Sequence, residues 1–245
     1  MAKPVNSINN AQNVHADLPD GAIDAQLSKF DITDTFGAVD ASAVFGGAQM
    51  YFGSGNSPAG YHIDQNNTLG FQLDLKEHYR TGDAITPSSV DQDGTAHFTV
   101  PAGAQVVDPA HDVGSANANR SAWNFDYVVA TGLNNTSSNL DSFTFKLAIT
   151  QNGTNTHIFD LNTATHTWID EAHPTIGFGG DDFNHPASAG VQSHVAENSS
   201  KLAFLAAAFG NLATASAAGT TYDIKLEAFD HAHLVGIVHD AILLA

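Results

Sequence analysis

Apolar side chains recur at every second position in several short segments of this chain, and turn-forming residues separate the segments. This period is typical of β-strands that bury one face and expose the other. One such strand has Gln72, Asp74 and Lys76 on its polar side and is predicted to be half-buried. The pair Asn152-Gly153 predicts a hairpin turn. The pattern predicts a mainly β fold, an antiparallel β-sandwich of the Ig-like or jelly-roll type, with strands at 69–75, 96–100, 123–129, 143–149, 157–161, 222–228 and 234–244.

Residues 200–209 depart from this pattern because they are rich in helix-forming residues and stop at Gly210. Asn198 or Ser199 precedes them and can cap the start of a helix. The segment predicts one short helix packed across an end of the sandwich. Its apolar residues also alternate, so a further strand is the alternative.

Residues 1–40 are polar and rich in Asn and Asp. They predict an extended arm, or a short helix followed by a loop. The predicted domains are therefore this arm, 1–40, and a single sandwich, 41–245. Such an arm can pair with the edge strand of a neighbouring molecule. The apolar residues expected to mediate this assembly are Ala2, Val5, Ile8, Val14 and Leu18.

Charge and cysteine content exclude several classes of function. Lys and Arg number 8 against 26 Asp and Glu, a formal net charge of −18, which opposes binding to nucleic acid and to anionic lipid. With 0 cysteines, the chain has no disulfide, thiolate nucleophile or thiolate metal site. No apolar run is long enough for a membrane-spanning helix. Common hydrolase and nucleotide-binding motifs are also missing, so we expect a protein that is not an enzyme.

The two ends of the chain suggest a route of export. Within residues 1–21, Lys3 is not followed by an apolar run of about seven or more residues, which argues against a cleaved secretory signal peptide. Residues 238–245 place one acidic residue before a short aliphatic tail, an arrangement that resembles the uncleaved C-terminal signals of type I (ABC transporter) secretion. The alternative is that these last residues form a final core strand.

Five short segments carry a resemblance to a known group of proteins: 120–127, 131–134, 140–145, 194–199 and 222–229. Together they resemble a β-sandwich module of bacterial extracellular proteins that bear C-terminal sorting or type I secretion signals. The resemblance covers roughly residues 44–238. It implies a location outside the bacterial cell or on its surface and implies no enzymatic activity. The nonapeptide repeat of calcium-binding proteins on the same route is missing, and only 177–182 is similar to it.

Acidic loops predict calcium as a cofactor. Asp91 and Asp93 stand before Gly94 with the spacing of a calcium loop. The glutamate that closes an EF-hand is missing, and a strand is predicted where the second helix would begin. A second acidic region contains Asp170, Glu171, Asp181 and Asp182. Solvated acidic turns are the alternative for both regions.

Thirteen histidines suggest a weaker metal site. His231 and His233 would share one face if they lay on a strand, about 6.6 Å apart along its axis. No third ligand lies close by in the sequence. The alternative is a solvated turn that carries two histidines.

A binding module is the second functional class. Aromatic residues near glycine-rich turns can stack on sugar rings, whereas Trp123 is expected in the core. Tyr61, His62 and His78 are candidate ligands for haem or a metal. The candidate sugar-stacking residues are Tyr51, Phe52, Tyr61, Trp168 and Phe178.

Taken together, these features favour a secreted structural protein. Its expected partners are copies of itself, and glycans are a further possible partner. We expect it to build an extracellular filament, layer or adhesive biofilm matrix, with a possible dependence on calcium.

Overall fold

The computed structural model describes residues 32–37, 44–45, 48–49, 59–79, 83–103, 121–161, 195–200, 209 and 217–245. Two 3-10 turns, Leu133–Asn135 and Leu140–Ser142, lie between two of the strands. None of the described helical segments is long and apolar enough to cross a membrane. The strands in chain order are β1 (Ile32–Gly37), β2 (Val44–Phe45), β3 (Ala48–Gln49), β4 (Tyr61–Asn66), β5 (Phe71–Tyr79), β6 (Ser89–Val90), β7 (Ala96–Val100), β8 (Trp123–Thr131), β9 (Thr144–Gln151), β10 (Asn155–Leu161), β11 (Val195–Ser200), β12 (Thr221–Asp230) and β13 (His233–Leu244).

Two sheets form the body of the described fold. One has 5 strands in the order β1-β4-β5-β8-β11, and the other has 6 in the order β10-β9-β12-β13-β7-β6. Among the described strands, the neighbours in both sheets are antiparallel except β13 and β7, which run parallel. β4 and β5 of the first sheet pack against β13 of the second. The predicted mainly β sandwich is confirmed.

The core lies between the two sheets and is built from alternate residues of the inner strands, as the two-residue period predicts. Trp123 is buried there, as expected. The first sheet contributes Phe71, Leu73, Leu75, Phe125, Tyr127 and Val129, and the second contributes Phe98, Phe145, Leu147, Ile149, Tyr222, Ile224, Leu226, Val238 and Ile242.

The prediction that β5 is half-buried is wrong. Gln72, Asp74 and Lys76 point away from the core, yet all three are buried. Asn124 and Asp126, on the same outer face of β8, are buried as well. The outer face of the five-stranded sheet is therefore a covered polar layer at β5 and β8.

β9 and β10 form the predicted hairpin. Asn152 and Gly153 have φ angles of 51° and 68°, the left-handed values that a type I′ turn needs and that Asn and Gly tolerate best. The N–H of Thr154 donates to the C=O of Gln151 at 3.2 Å and closes the turn.

β12 and β13 form a second hairpin, and β13 completes the core. His231 occupies the turn between them with a φ angle of 57°, so the strand geometry considered for His231 and His233 is wrong. The register passes from Ala228 opposite Gly236 to Phe229 opposite Leu234, which marks a β-bulge in β13. The end of the chain, including 238–244, is a core strand; its role in secretion stays a prediction.

Two predicted boundaries differ from the structure. Residues 32–37, assigned to the arm, form β1 and pair with β4 of the same chain. Asn198 and Ser199 cannot cap a helix, because both lie in β11 and pair with β8. Of the predicted helix, 201–208 lies outside the described residues, and Phe209 alone is described as helical and buried.

Candidate functional site

β10 is an edge strand of the six-stranded sheet. Among the described strands it pairs with β9 alone. The N–H of Asn152 donates to the C=O of Thr221 on β12 at 3.0 Å. The backbone groups of successive residues in a strand bond to opposite neighbouring strands. The N–H and C=O groups of the even-numbered residues of β9 therefore point toward β12, and those of the odd-numbered residues point toward β10. By the register, Thr156, Ile158 and Asp160 of β10 therefore direct their backbone groups away from β9.

The side chains of β10 do little to block pairing with another strand. Natural sheets protect long edges with lysine, proline or bulges, and β10 contains none of these within its 7 residues. Its Asp160 is neutralised by Lys146 of β9, with 3.1 Å between Oδ1 and Nζ. The opposite edge of the same sheet, β6, has only 2 residues. β10 is thus the longer pairing surface of this sheet.

A row of polar side chains on β4 joins the two sheets. His62, Asp64 and Asn66 point toward β13, although their register partners on the neighbouring strand β5 are apolar: Leu75, Leu73 and Phe71. The Nδ1 of His62 lies 2.6 Å from Oδ1 of Asp240. Asp64 accepts a hydrogen bond of 2.8 Å from the N–H of Ile237.

The third member of this row reaches the bulge itself. Asn66 donates to the C=O of Val235 at 3.2 Å, and Val235 is the residue that the register of β12 and β13 skips. Side chains of one sheet thus bond backbone groups of the other at its bulge, which satisfies polar groups that burial would otherwise leave unpaired.

A buried carboxyl group accompanies the His62 and Asp240 pair. Glu77 of β5 is buried, and burial raises its pKa well above the ordinary range. The neighbouring carboxyl group of Asp240 raises the pKa of Glu77 further. The cluster is closed to solvent and acts as a structural tie between the two sheets.

The outer face of the five-stranded sheet holds a second polar cluster. Lys76 and His78 of β5 both contact Asp126 of β8, and all three are buried. Gln72 donates to both carboxyl oxygens of Asp74 at 2.9 Å. Burial raises the pKa of Asp74 to about 8, against the lowering effects of the Gln72 hydrogen bond and of the charge on His62.

The predicted calcium residues at 91 and 93 belong to a tight turn. Asp91 contacts His97, with 2.8 Å between Oδ2 and Nε2. Asp93 accepts a hydrogen bond of 3.2 Å from the N–H of Thr95. Each of the two carboxylates therefore bonds a residue of its own turn or of the strand that follows it. Calcium binding stays a prediction.

His231, one of the two histidines predicted as metal ligands, lies at an exposed turn, where its Nδ1 is 2.7 Å from Oδ1 of Asp230. His233 is the first residue of β13 and is exposed. Within the described part of the chain, no group of three or more His, Asp or Glu side chains is arranged to hold a metal ion.

The candidate ligands for sugar or haem that the structure describes, Tyr61, His62 and His78, are not at the surface. Tyr61 is fully buried, so the expectation of an exposed stacking ring there is wrong. His62 and His78 are buried and bonded to Asp240 and Asp126. Gly60 favours a loop at Tyr61 and His62, but residue 61 already begins β4.

Several predicted site residues lie outside the described residues: Asp170, Glu171, Asp181, Asp182, Tyr51, Phe52, Trp168, Phe178, Ala2, Val5, Ile8, Val14 and Leu18.

Sequence reasoning also missed the row on β4 and the cluster around Asp126. One signal was available for the first. His62, Asp64 and Asn66 alternate with Tyr61 and Ile63, so the segment had a strand period with a face of hydrogen-bonding residues.

Comparison with known proteins assigns the chain to no family: no family model matches it, and no curated protein matches it significantly.

Proposed function

We propose that the chain is a non-enzymatic structural protein of the bacterial cell exterior that assembles with copies of itself through the edge of β10. The observation that carries this proposal is the outward-facing backbone of Thr156, Ile158 and Asp160 on a strand without lysine or proline. Such a row of backbone donors and acceptors is a template for one more strand.

The proposed occupant of this edge is the polar N-terminal segment of a neighbouring copy. That segment is about 30 residues long, which spans up to roughly 100 Å when extended and reaches well beyond its own sandwich. Because the donor segment and the acceptor edge are different surfaces, each copy can bind one neighbour and be bound by another. Such head-to-tail contacts produce open filaments unless the ring closes.

Charge supports a role for cations in this assembly. A net charge of −18 makes copies repel one another at low ionic strength. Lys146 neutralises Asp160 at the edge itself, so the repulsion comes from the rest of the surface and is screened by salt. We expect calcium, which is plentiful outside cells, to favour assembly more than an equal ionic strength of sodium.

The test compares two substitutions at one position of the full-length chain. Ile158→Pro removes an outward N–H and should abolish filaments, because this N–H is not used by β9. Ile158→Thr keeps the N–H and is the matched control, which should assemble like the unmodified chain. Electron microscopy and light scattering, with and without calcium, measure the outcome. An unmodified chain that stays monomeric under all conditions contradicts the proposal.

A further inference from the structure

Lys76 and Asp126 face each other directly across two neighbouring strands. They are register partners on β5 and β8, and the Nζ of Lys76 lies 3.2 Å from Oδ2 of Asp126. Their side chains are 0% and 1% exposed. An amine nucleophile is thus held 3.2 Å from a carboxyl oxygen at a site that water does not reach.

His78 contacts the other oxygen of the same carboxyl group. Its Nε2 lies 3.0 Å from Oδ1 of Asp126, and its Nδ1 lies 2.7 Å from the C=O of Tyr79. A carbonyl can only accept, so Nδ1 carries a proton. The bond between Nε2 and Oδ1 then needs a proton of its own, shared by the imidazole and the carboxyl group.

The surroundings exclude water from the pair. One wall is the ring of Tyr61, whose centre lies 4.5 Å from the Nζ of Lys76. Asp74, two residues away on the same face of β5, is largely protonated at neutral pH because burial raises its pKa to about 8. A buried ion pair loses hydration, and transfer of one proton from amine to carboxylate removes both charges.

We propose that Lys76 and Asp126 condense into an intramolecular isopeptide bond that links β5 covalently to β8, with His78 as the proton carrier. This modification is independent of assembly through β10. It supplies a covalent tie between strands in a chain with 0 cysteines, where a disulfide is not possible.

The proposed step balances without any oxidant or co-reactant. Proton transfer within the pair gives a neutral amine and a neutral carboxyl group. The lone pair of Nζ attacks Cγ, and a tetrahedral carbon forms. Protonated Nε2 of His78 gives its proton to the oxyanion Oδ1, and the freed imidazole takes one proton from the tetrahedral Nζ and passes it to the same oxygen. The Cγ–Oδ1 bond then breaks and water leaves. Oδ2 gives its proton to the imidazole and becomes the amide carbonyl, and one N–H remains on the amide.

The chain contains a second lysine and aspartate pair at a similar distance, which shows whether closeness alone is enough for the bond to form. Lys146 and Asp160 are also register partners on neighbouring strands, with 3.1 Å between Nζ and Oδ1. That aspartate is 64% exposed, so hydration stabilises its charged form and the pair should remain an ordinary ion pair.

Intact mass spectrometry of the denatured full-length chain tests the proposal. The linked chain should be lighter than its sequence mass by one water. Trypsin cannot cut at the modified Lys76, so residues 30–80 should remain joined to 121–146. Asp20 and Asp93 each precede glycine and can also lose water as cyclic imides, but mild base reverses an imide and leaves an isopeptide bond intact.

Three variants complete the experiment. Lys76→Arg and Asp126→Ala should each restore the full mass. His78→Ala should still link, but about a hundredfold more slowly, as expected for loss of a general acid and base. Circular dichroism establishes that each variant is folded. An unmodified, folded chain that shows no joined peptide after prolonged incubation overturns the proposal, as does linkage at Lys146 instead.

Discussion

His62 on β4 and Asp240 on β13 join the two sheets through a contact of 2.6 Å between Nδ1 and Oδ1, although 178 positions separate them in the chain. Both side chains are buried, and Glu77 packs against the same aspartate. The tie therefore fixes one sheet relative to the other from inside the sandwich.

We expect His62→Phe to destabilise the fold by about 3 kcal/mol, because it leaves the buried Asp240 without its basic partner. Urea unfolding measures the change. The double variant His62→Phe with Asp240→Asn should recover part of the loss, since it removes the acid whose charge lost its partner. Equal destabilisation in the single and double variants would contradict this account.

An exposed pair provides the control. His97 and Asp91 lie 2.8 Å apart with side chains that are 39% and 56% exposed. His97→Phe should change the free energy of unfolding by less than about 1 kcal/mol, as is usual for surface pairs.

Stability should fall as pH rises through the neutral range. Burial raises the pKa of Asp74 from 3.8 to about 8, so the folded chain holds a proton that the unfolded chain releases. The stabilisation that this proton gives to the folded chain is complete below about pH 4 and is lost as pH rises through about 8. Glu77 acts in the same direction because its pKa is also raised. Urea unfolding at several pH values measures the slope.

Asp74→Asn should make this pH profile shallower, because the amide does not titrate and only the contribution of Glu77 remains. Asp141→Asn is the matched control, since Asp141 is exposed in the 3-10 turn before β9 and its replacement should leave the slope unchanged. If both variants kept the slope of the unmodified chain, Asp74 would not be its source.

The strands were predictable because burial of one face leaves a local period in the sequence. The same logic explains the error at β5. Gln72, Asp74 and Lys76 alternate as solvent-facing residues do, but the period reports only that two faces differ. Whether the polar face is covered depends on residues distant in the chain.

Pairings between distant strands left no local signal. The parallel contact of β7 with β13 brings residues 96–100 beside the C-terminal strand, and the contact of His62 with Asp240 joins positions 178 residues apart. The turn at His231 was the alternative to a strand in the sequence analysis, and the sequence could not decide between them for a different reason. The turn has no Asn-Gly pair, and a histidine with a φ of 57° is uncommon.

Gly236 permits close contact between the sheets at the bulge. A Cβ at this position would lie 2.4 Å from Cε2 of Phe71 and 2.6 Å from its Cζ. That ring packs edge-on against Phe143, with 5.1 Å between centroids, so it has little room to move. We expect Gly236→Ala to destabilise the fold by about 2 kcal/mol through overpacking, measured by thermal unfolding.

A second substitution separates this steric effect from a backbone effect. Phe71→Leu in the Gly236→Ala background removes the clashing ring atoms, so the double variant should lose less stability than the two single variants added together. If the losses of stability from the two substitutions simply add, the effect of Gly236→Ala does not come from a clash with the Phe71 ring.

Asp64 should protect the bulge of β13 against local opening. Its carboxylate accepts a hydrogen bond from the N–H of Ile237 at 2.8 Å, and Asp64→Leu leaves that partly buried donor without its acceptor, at a cost of about 1 kcal/mol. Hydrogen exchange should then be several-fold faster at Ile237. The amide of Ile224, in the middle of β12, is the internal reference. Asp64→Asn retains an acceptor oxygen and should keep most of the protection. Equal acceleration at Ile237 and Ile224 would instead indicate a global loss of stability, and the bond from Asp64 would then have no local role at the bulge.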